Sequence, residues 1–351
     1  MSKINKPIKD IINQRFGGKY QVKSVTEIPG GFRSKAYRIT VKHKGKPIKF
    51  FLKHTLHDLP GFYEDNIEKL SSYLISQRTA ELAGISPKSL GVFLSQQGKI
   101  INLSDFREDD TVFHLQEYQS GSNYLTDLLA KEKKADFLAD NKRIIDRIVR
   151  KLVGIHGQKL NLTMEKKKLL YKRSLRNPIV NPELALTMIE DNSEGSLFAG
   201  RLRLDYISAM LKLAESFWPD YKRLAVIHGD FWPGNIILNG KKVSFFDYSR
   251  YSYGDAGVDV GHFYLAMIIF SVWRKNKSYL KLADYFLKEY IGLSKDNYIT
   301  KSAVLAFGPI GVVFILDKFF PGVPMKQRKK FADYIMACLK KKRIIVDYSF
   351  I

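Results

Sequence analysis

The chain has 351 residues, 45% of them hydrophobic and 13% aromatic, which excludes intrinsic disorder and leaves room for two separate cores. Lysine and arginine outnumber aspartate and glutamate by 58 to 35, a formal charge of +23. The single cysteine, Cys338, excludes an internal disulfide and favours a reducing compartment.

The charge is unevenly spread. Residues 1–60 carry fourteen Lys/Arg against three Asp/Glu, and residues 140–176 carry twelve against three, whereas residues 225–262 hold four Asp against three Lys/Arg. Two readings stand open: a basic surface that attracts anions toward a locally acidic centre, or a Lys-rich chain with ordinary solvated faces. The runs Lys166-Lys167-Lys168 and Lys340 to Arg343 lack interleaved aromatics, which argues against nucleic acid as a partner. Met1 to Asp10 has no apolar core of the kind a signal peptide needs. The longest apolar runs, Phe263–Trp273 and Ala303–Leu316, fall short of the ~20 residues of a spanning helix. The expectation is a cytoplasmic protein without a membrane span.

Strand-like patterns dominate the first third, at Gln21–Ile28, Ala36–Lys42, Ile48–Lys53, Ser89–Ser95 and Val112–Tyr118. One helical pattern interrupts them, from about Glu64 to Ala83, stopped by Gly84 and Pro87. After the polar connector Gln119–Asn123 helical periodicity takes over, at Tyr124–Ala130, Leu138–His156, Leu202–Phe217, Ala256–Trp273, Tyr279–Tyr290, Ile299–Asp317 and Gln327–Lys340. This is an α+β chain in two lobes: residues 1–118, a small antiparallel sheet with one helix, and residues 119–351, larger and mostly α-helical. Residues 157–200 mix a basic run with Asn-Pro pairs and read as a substrate-facing insertion.

Chemistry concentrates at His228-Gly229-Asp230-Phe231-Trp232-Pro233-Gly234-Asn235. A carboxylate and a carboxamide stand five residues apart, and a second carboxylate, Asp247, follows the apolar run Val243–Phe246. One acid to orient a hydroxyl, with an amide and an acid to hold magnesium, suffices for phosphoryl transfer. The spacing is that of a kinase catalytic loop. Asn239-Gly240 between the two halves is a hairpin signal that would fold Asp247 back toward Asn235. His228 reads as a brace for the loop, and Asp259 as a loop anchor or N-cap.

Other parts of a nucleotide site appear upstream in order. Gly30, Gly31 and Ser34 lie between two strands, where glycines let backbone amides approach phosphates, although a plain hairpin turn would look the same. Lys53 ends the third strand and can clamp phosphates. Glu68 is the carboxylate chosen to hold it, with Glu64 and Glu81 as rivals. Glu117 and Tyr118 are where a base would meet exposed backbone, or else are only a linker.

With these parts in order, the chain resembles the aminoglycoside phosphotransferase / choline kinase family, the small-molecule branch of the protein-kinase-like fold. The resemblance runs from about Val22 to Leu265 and is strongest at Val226–Asn235 and Phe245–Gly261. It implies Asp230 as catalytic base, Asn235 and Asp247 as Mg2+ ligands, Lys53 as phosphate clamp, and ATP and Mg2+ as cofactors. Gly254-Asp255 to Asp259-Val260-Gly261 resembles the stretch that supports the loop in these enzymes. Trp232 with Tyr253-Gly254-Asp255 resembles the fructosamine-kinase branch. The chain lacks a glycine after Asp247-Tyr248 and has no Ala-Pro-Glu triplet, which points away from a regulated protein kinase. The acceptor is then a hydroxyl on a small molecule, neutral or anionic because residues 157–203 are basic. A protein or lipid-headgroup kinase, or a nucleotide-binding pseudokinase without transfer, are the alternatives.

Overall fold

The computed structural model describes residues 4–28, 34–55, 70, 74, 77–107, 110–180, 201–248, 252–315, 320 and 322–349. Within these, the side chains of residues 34, 55, 77, 78, 82, 177–180 and 201 are not included. The chain divides into two compact units, one of residues 1–120 with 244–249, the other of residues 121–243 with 250–351.

The first unit opens with helix α1 (Asn5–Phe16), which the sequence reading did not anticipate. Its Ile8, Ile11 and Ile12 recur at helical spacing and are completely buried. Gly17 ends the helix in the left-handed region (φ 63°), its N–H donating to the Asn13 carbonyl. These isoleucines lie against a six-stranded antiparallel sheet made of β1 (Gln21–Ile28), β2 (Ser34–His43), β3 (Lys46–Thr55), β4 (Ser89–Gln96), β5 (Lys99–Ile101) and β6 (Thr111–Glu117), in the order β1-β2-β3-β6-β4-β5. Side chains alternate across a strand, so β2 sends Tyr37, Ile39 and Val41 into this core, and β3 sends Phe50 and Leu52. The same alternation turns Lys53 to the opposite face. There it stands across from Ala36 of β2 and His114 of β6. Of the helix expected over residues 64–83, the described part is helical at Leu70 and Leu74 and forms α2 (Gln77–Leu82).

The second unit holds β7 (Ser122–Asn123), α3 (Tyr124–Ala130), α4 (Phe137–His156), α5 (Met164–Val180), α6 (Arg201–Phe217), a 3-10 turn at Trp218–Arg223 and β8 (Leu224–Val226). A hairpin of β9 (Ile236–Asn239) and β10 (Lys242–Phe245) follows, then β11 (Tyr253–Asp255), α7 (Ala256–Arg274) and α8 (Ser278–Ser294). The chain ends through α9 (Ile299–Ser302), α10 (Phe307–Ile315) and α11 (Met325–Lys341). Helix α5 lies where the sequence pattern was mixed.

Helix α7 is long and apolar enough to cross a membrane, yet 94% of its most apolar 18-residue window is buried inside the protein. A helix apolar on all sides belongs in a core. The single helix expected over 299–317 is instead α9, a 3-10 turn at Ala303–Ala306, and α10. Pro309 gives the reason: mid-helix it would clash with the carbonyl four residues back, whereas in the first turn of α10 no intrahelical N–H is needed. Close approach gives a second reason. A Cβ on Gly257 would meet Ser302 Oγ at 2.3 Å, and one on Gly261 would meet the Ala303 carbonyl oxygen at 2.0 Å.

Gly261→Ala should therefore lower stability by about 3 kcal/mol, the upper range for an overpacked core. Gly292→Ala, in open space within α8, should raise it by about 0.5–1 kcal/mol. Urea midpoints at unchanged m-value separate the two, and equal midpoints would show that α7 does not need its glycines.

Candidate active site

Strand β8 pairs antiparallel with β11, and the Ile227 N–H extends this pairing to the Ser252 carbonyl. Beyond Ile227 the chain leaves the sheet, and Gly229 takes φ 82°, a conformation that costs a residue with a side chain. The two amides freed there turn onto one carboxylate. His228 N–H donates to Asp259 Oδ2 at 2.6 Å and Gly229 N–H to Asp259 Oδ1 at 2.8 Å.

Asp259 sits in the first turn of α7 and is fully buried. Burial alone would raise its pKa, but the His156 hydrogen bond and charge, together with His228, hold it below the ordinary carboxylate value. His156 Nε2 is 3.0 Å from Asp259 Oδ2, and its Nδ1 is 2.7 Å from the Tyr290 hydroxyl. The chain Tyr290–His156–Asp259 thus joins α8 and α4 to the loop. His156 reads from sequence as a packed helix end. Nothing local reveals its partner, which lies 103 residues away. Of the two roles considered for Asp259, it performs loop anchoring. The N-cap of α7 is Asp255, which accepts from Gly257 N–H at 2.8 Å, from the Arg223 guanidinium at 2.7 and 3.2 Å, and from the Tyr171 hydroxyl at 2.9 Å.

The rest of the loop is held from within. Asp230 N–H donates to His228 Nδ1 at 3.3 Å, the brace the sequence suggested. A 3-10 turn at Pro233–Asn235 brings the Asn235 carboxamide back, so that Nδ2 donates to the Asp230 carbonyl at 2.8 Å and to its Oδ2 at 3.2 Å. Phe231 is fully buried, its ring 5.8 Å from that of Phe263 on α7. Gly234 leaves room for the Trp232 indole, which a Cβ would strike at 2.3 Å. The Asp230 side chain stays 28% exposed, with His262 Nδ1 4.0 Å from its Oδ1. His262 was not singled out in the sequence, although its place three residues after Asp259 puts both on one helix face.

The hairpin after Asn235 turns at Gly240-Lys241 rather than Asn239-Gly240. Among the described residues of this turn only Gly240 takes a positive φ (55°), as a glycine-first two-residue turn requires. Helix α4 grips it through two cations: Arg147 donates to the Gly240 carbonyl at 2.7 Å and Lys151 to the Val243 carbonyl at 2.9 Å. Burial, with Lys242 nearby, lowers the Lys151 pKa.

The first unit holds the other charged pair. Lys53 Nζ lies 2.6 Å from Asp247 Oδ2, with side chains 17% and 22% exposed. Asp247 adopts φ 66°, a left-handed conformation that Asp tolerates better than most residues. Its neighbour Tyr248 is buried and donates its hydroxyl to the Ile85 carbonyl at 2.9 Å. His114, beside Lys53, is pushed down to about 3 by burial and then by the Lys53 charge, against the opposite pull of Asp247. It remains neutral near pH 7, 3.0 Å from Ser89 Oγ, and so adds no second cation beside Lys53.

The structure thus brings Lys53 together with Asp247, and Asp230 with Asn235. Gly30, Gly31, Glu64 and Glu68 lie outside the described residues, and Ser34 is described only as the backbone opening of β2. Glu81 lies on α2. Glu117 closes β6 with its N–H already given to the Lys88 carbonyl at 3.0 Å, and the Tyr118 ring carries the Lys49 ammonium 5.9 Å from its centroid.

Asp259→Asn leaves the two loop amides an acceptor but removes the charge opposite His156, and should lower stability at pH 7 by about 3 kcal/mol. A carboxylate with a depressed native pKa contributes stability that is complete above its unfolded value of about 3.9 and lost as pH falls through the native one. The gap between wild type and variant in thermal melts should therefore narrow below pH 4. A gap independent of pH would show that the Asp259 charge is not what holds the loop.

The sequence matches the Phosphotransferase enzyme family over residues 24–290. No curated protein matches it. Among solved structures, an ethanolamine kinase of Plasmodium vivax superposes with a TM-score of 0.55 at 14% identity, covering 98% of this chain and 86% of that one. An amicoumacin kinase in complex with AMP-PNP and Ca2+ gives 0.55 at 12% identity, covering 99% and 98%. A thermostable mutant of an aminoglycoside phosphotransferase gives 0.52 at 11% identity, covering 95% and 97%. At such identities these likenesses establish the protein-kinase-like α+β fold, and the family match supplies the activity. The chain belongs to the phosphotransferase enzyme family, as an ATP-dependent kinase that phosphorylates a hydroxyl group of a small molecule.

Proposed function

We propose that the enzyme transfers the γ-phosphoryl group of ATP, as its magnesium complex, to a hydroxyl of a small neutral or anionic metabolite, such as a sugar or an already phosphorylated compound. The observation that carries this reading is the double hydrogen bond from Asn235 Nδ2 to Asp230, at 2.8 and 3.2 Å. It spends the amide nitrogen on Asp230 and leaves Asn235 Oδ1 as the oxygen available to a cation.

The donor set suits magnesium. One carboxylate, Asp247, and one carboxamide oxygen, Asn235, are hard oxygen ligands, and Mg2+ is held by few protein groups with phosphates and water completing the octahedron. Bound there, the cation would neutralise charge on the β- and γ-phosphate oxygens. Asp247 already accepts the Lys53 ammonium, so this carboxylate is a seat for positive charge. Lys53 would share it, turning toward phosphate when nucleotide enters.

Asp230 would accept a hydrogen bond from the acceptor hydroxyl and orient one oxygen lone pair at the γ-phosphorus. The new O–P bond forms as the bond from the γ-phosphorus to the β-γ bridging oxygen breaks. ADP leaves with that electron pair, and the hydroxyl proton passes to the Asp230 carboxylate. The loop contributes by position: Asp259 and Asn235 fix Asp230 before substrate arrives, so little reorganisation is needed during transfer. The acceptor's charge class rests on residues 157–203, where nine Lys/Arg stand against five Asp/Glu and disfavour a polycation.

Asp230→Asn should lower turnover by about 10²- to 10⁴-fold, the usual share of a positioned base, while nucleotide affinity is unchanged. Asp247→Ala should instead raise the Mg2+ concentration needed for nucleotide binding. ATP consumption across a metabolite panel identifies the acceptor. Near-normal turnover by the Asp230 variant on that acceptor would remove Asp230 from the chemistry.

A further inference from the structure

Helix α5 is basic: among residues 164–176, Lys166, Lys167, Lys168, Lys172, Arg173 and Arg176 stand against Glu165 alone. Its buried positions, Tyr171, Ser174 and Leu175, fall on one side. On the opposite side Leu169 is 60% exposed, at helical spacing from Lys166, Lys172, Arg173 and Arg176. A large aliphatic residue ringed by cations is not what a merely solvated face requires.

The aromatics missing from this run in sequence are supplied in space by the 3-10 turn at Trp218–Arg223. Lys172 Nζ lies 5.4 Å from the Trp218 ring centroid, and Lys168 Nζ lies 5.2 Å from that of Tyr221. Trp218 is still 49% exposed. It also continues a line of exposed leucines on α6: Leu204 is 69% and Leu211 52% exposed, each seven residues before the next. The acidic residues nearby are few. Asp205, beside Leu204, and Glu215 lie on α6, and Asp220 accepts the Tyr298 hydroxyl at 2.8 Å.

We propose that this face, with Leu169, Trp218, Lys166, Lys172, Arg173 and Arg176 at its centre, docks the enzyme on an anionic lipid surface. Exposed leucine and tryptophan seat in the headgroup–acyl boundary, while lysine and arginine keep their stems apolar and their charges among lipid phosphates. Nucleic acid would share the charge complementarity. It has no use for exposed leucines, however, and the lysines over Trp218 and Tyr221 occupy ring faces on which bases would stack. The proposal does not rest on the roles given to Asp230, Asn235, Asp247 and Lys53, but it assigns to a lipid surface the basic residues of α5 that the acceptor reading uses.

The test is sedimentation of the full-length protein with vesicles of phosphatidylcholine alone, or with roughly one-third phosphatidylglycerol, at low and high salt. Wild type should partition to the anionic vesicles at least tenfold more strongly, with the preference shrinking in salt. Leu169→Glu/Trp218→Ser should lose binding, and Lys172→Glu/Arg173→Glu should weaken it by about fivefold or more per charge. Both variants change exposed side chains, and an unchanged thermal midpoint shows that loss of binding is not loss of fold. A second readout is quenching of Trp218 by brominated lipid, which Trp218→Phe should abolish although Trp232 and Trp273 remain. Equal binding to both vesicle types, no binding at low salt, or undiminished binding by the variants would overturn the proposal. Binding of a single-stranded RNA oligonucleotide that is lost in the charge variant but kept in Leu169→Glu would also overturn it, in favour of nucleic acid.

Discussion

The 228–235 loop depends on one buried carboxylate. Asp259 is fully buried, a position in which a bare charge costs several kcal/mol. Three donors offset that cost: the amides of His228 and Gly229 and the ring of His156. The two amide hydrogen bonds remove the freedom of the chain just before Asp230, so backbone geometry, together with the Asn235 amide on its Oδ2, orients that side chain. Helix α7 bears Asp259, and its all-round apolar surface follows from this duty. A helix that must place a carboxylate in the interior has to be interior itself, and Gly257 and Gly261 let the 302–303 backbone close against it.

Charge in the other unit is arranged on a different principle. There Asp247 is fixed by a cation, Lys53, and by the anchored hydroxyl of its neighbour Tyr248. The chain enters this unit within β10, after Val243, and returns after Ser249. Strand alternation supplies Lys53: Leu52 goes to the core beneath α1, so the next residue must face the other way. His114, opposite Lys53, is kept neutral by burial and by that same lysine.

Much of this was legible in the sequence because it rests on local rules. The five main strands, helices such as Tyr124–Ala130 and Ala256–Arg274, and the loop with its Asp and Asn five apart follow from period and spacing alone. What stayed hidden falls into two kinds. Helix α1 and helix α5 are short of apolar residues, and their cations masked a narrow buried stripe. The partners of His156 and Lys53 lie 103 and 194 residues away, and no single-sequence period encodes such a pairing. The break in the 299–317 helix was half visible. Pro309 marked it, but the close packing on Gly257 and Gly261 that makes room for the 3-10 turn is a property of two segments together.

The strongly positive net charge looks at odds with an enzyme whose site needs carboxylates. The arrangement resolves this by sorting charge according to burial. Asp255 and Asp259 are fully buried, and each accepts several hydrogen bonds that offset the cost of taking a carboxylate out of water. Of the cations, Arg147 and Lys151 donate to backbone carbonyls of the hairpin and hold its structure. Many of the remaining lysines are exposed, where dissolved salt screens them within about a nanometre. Asp230 and Asp247, the acids used in the proposed mechanism, keep 28% and 22% of their side chains exposed, whereas the two anchoring acids are closed off entirely.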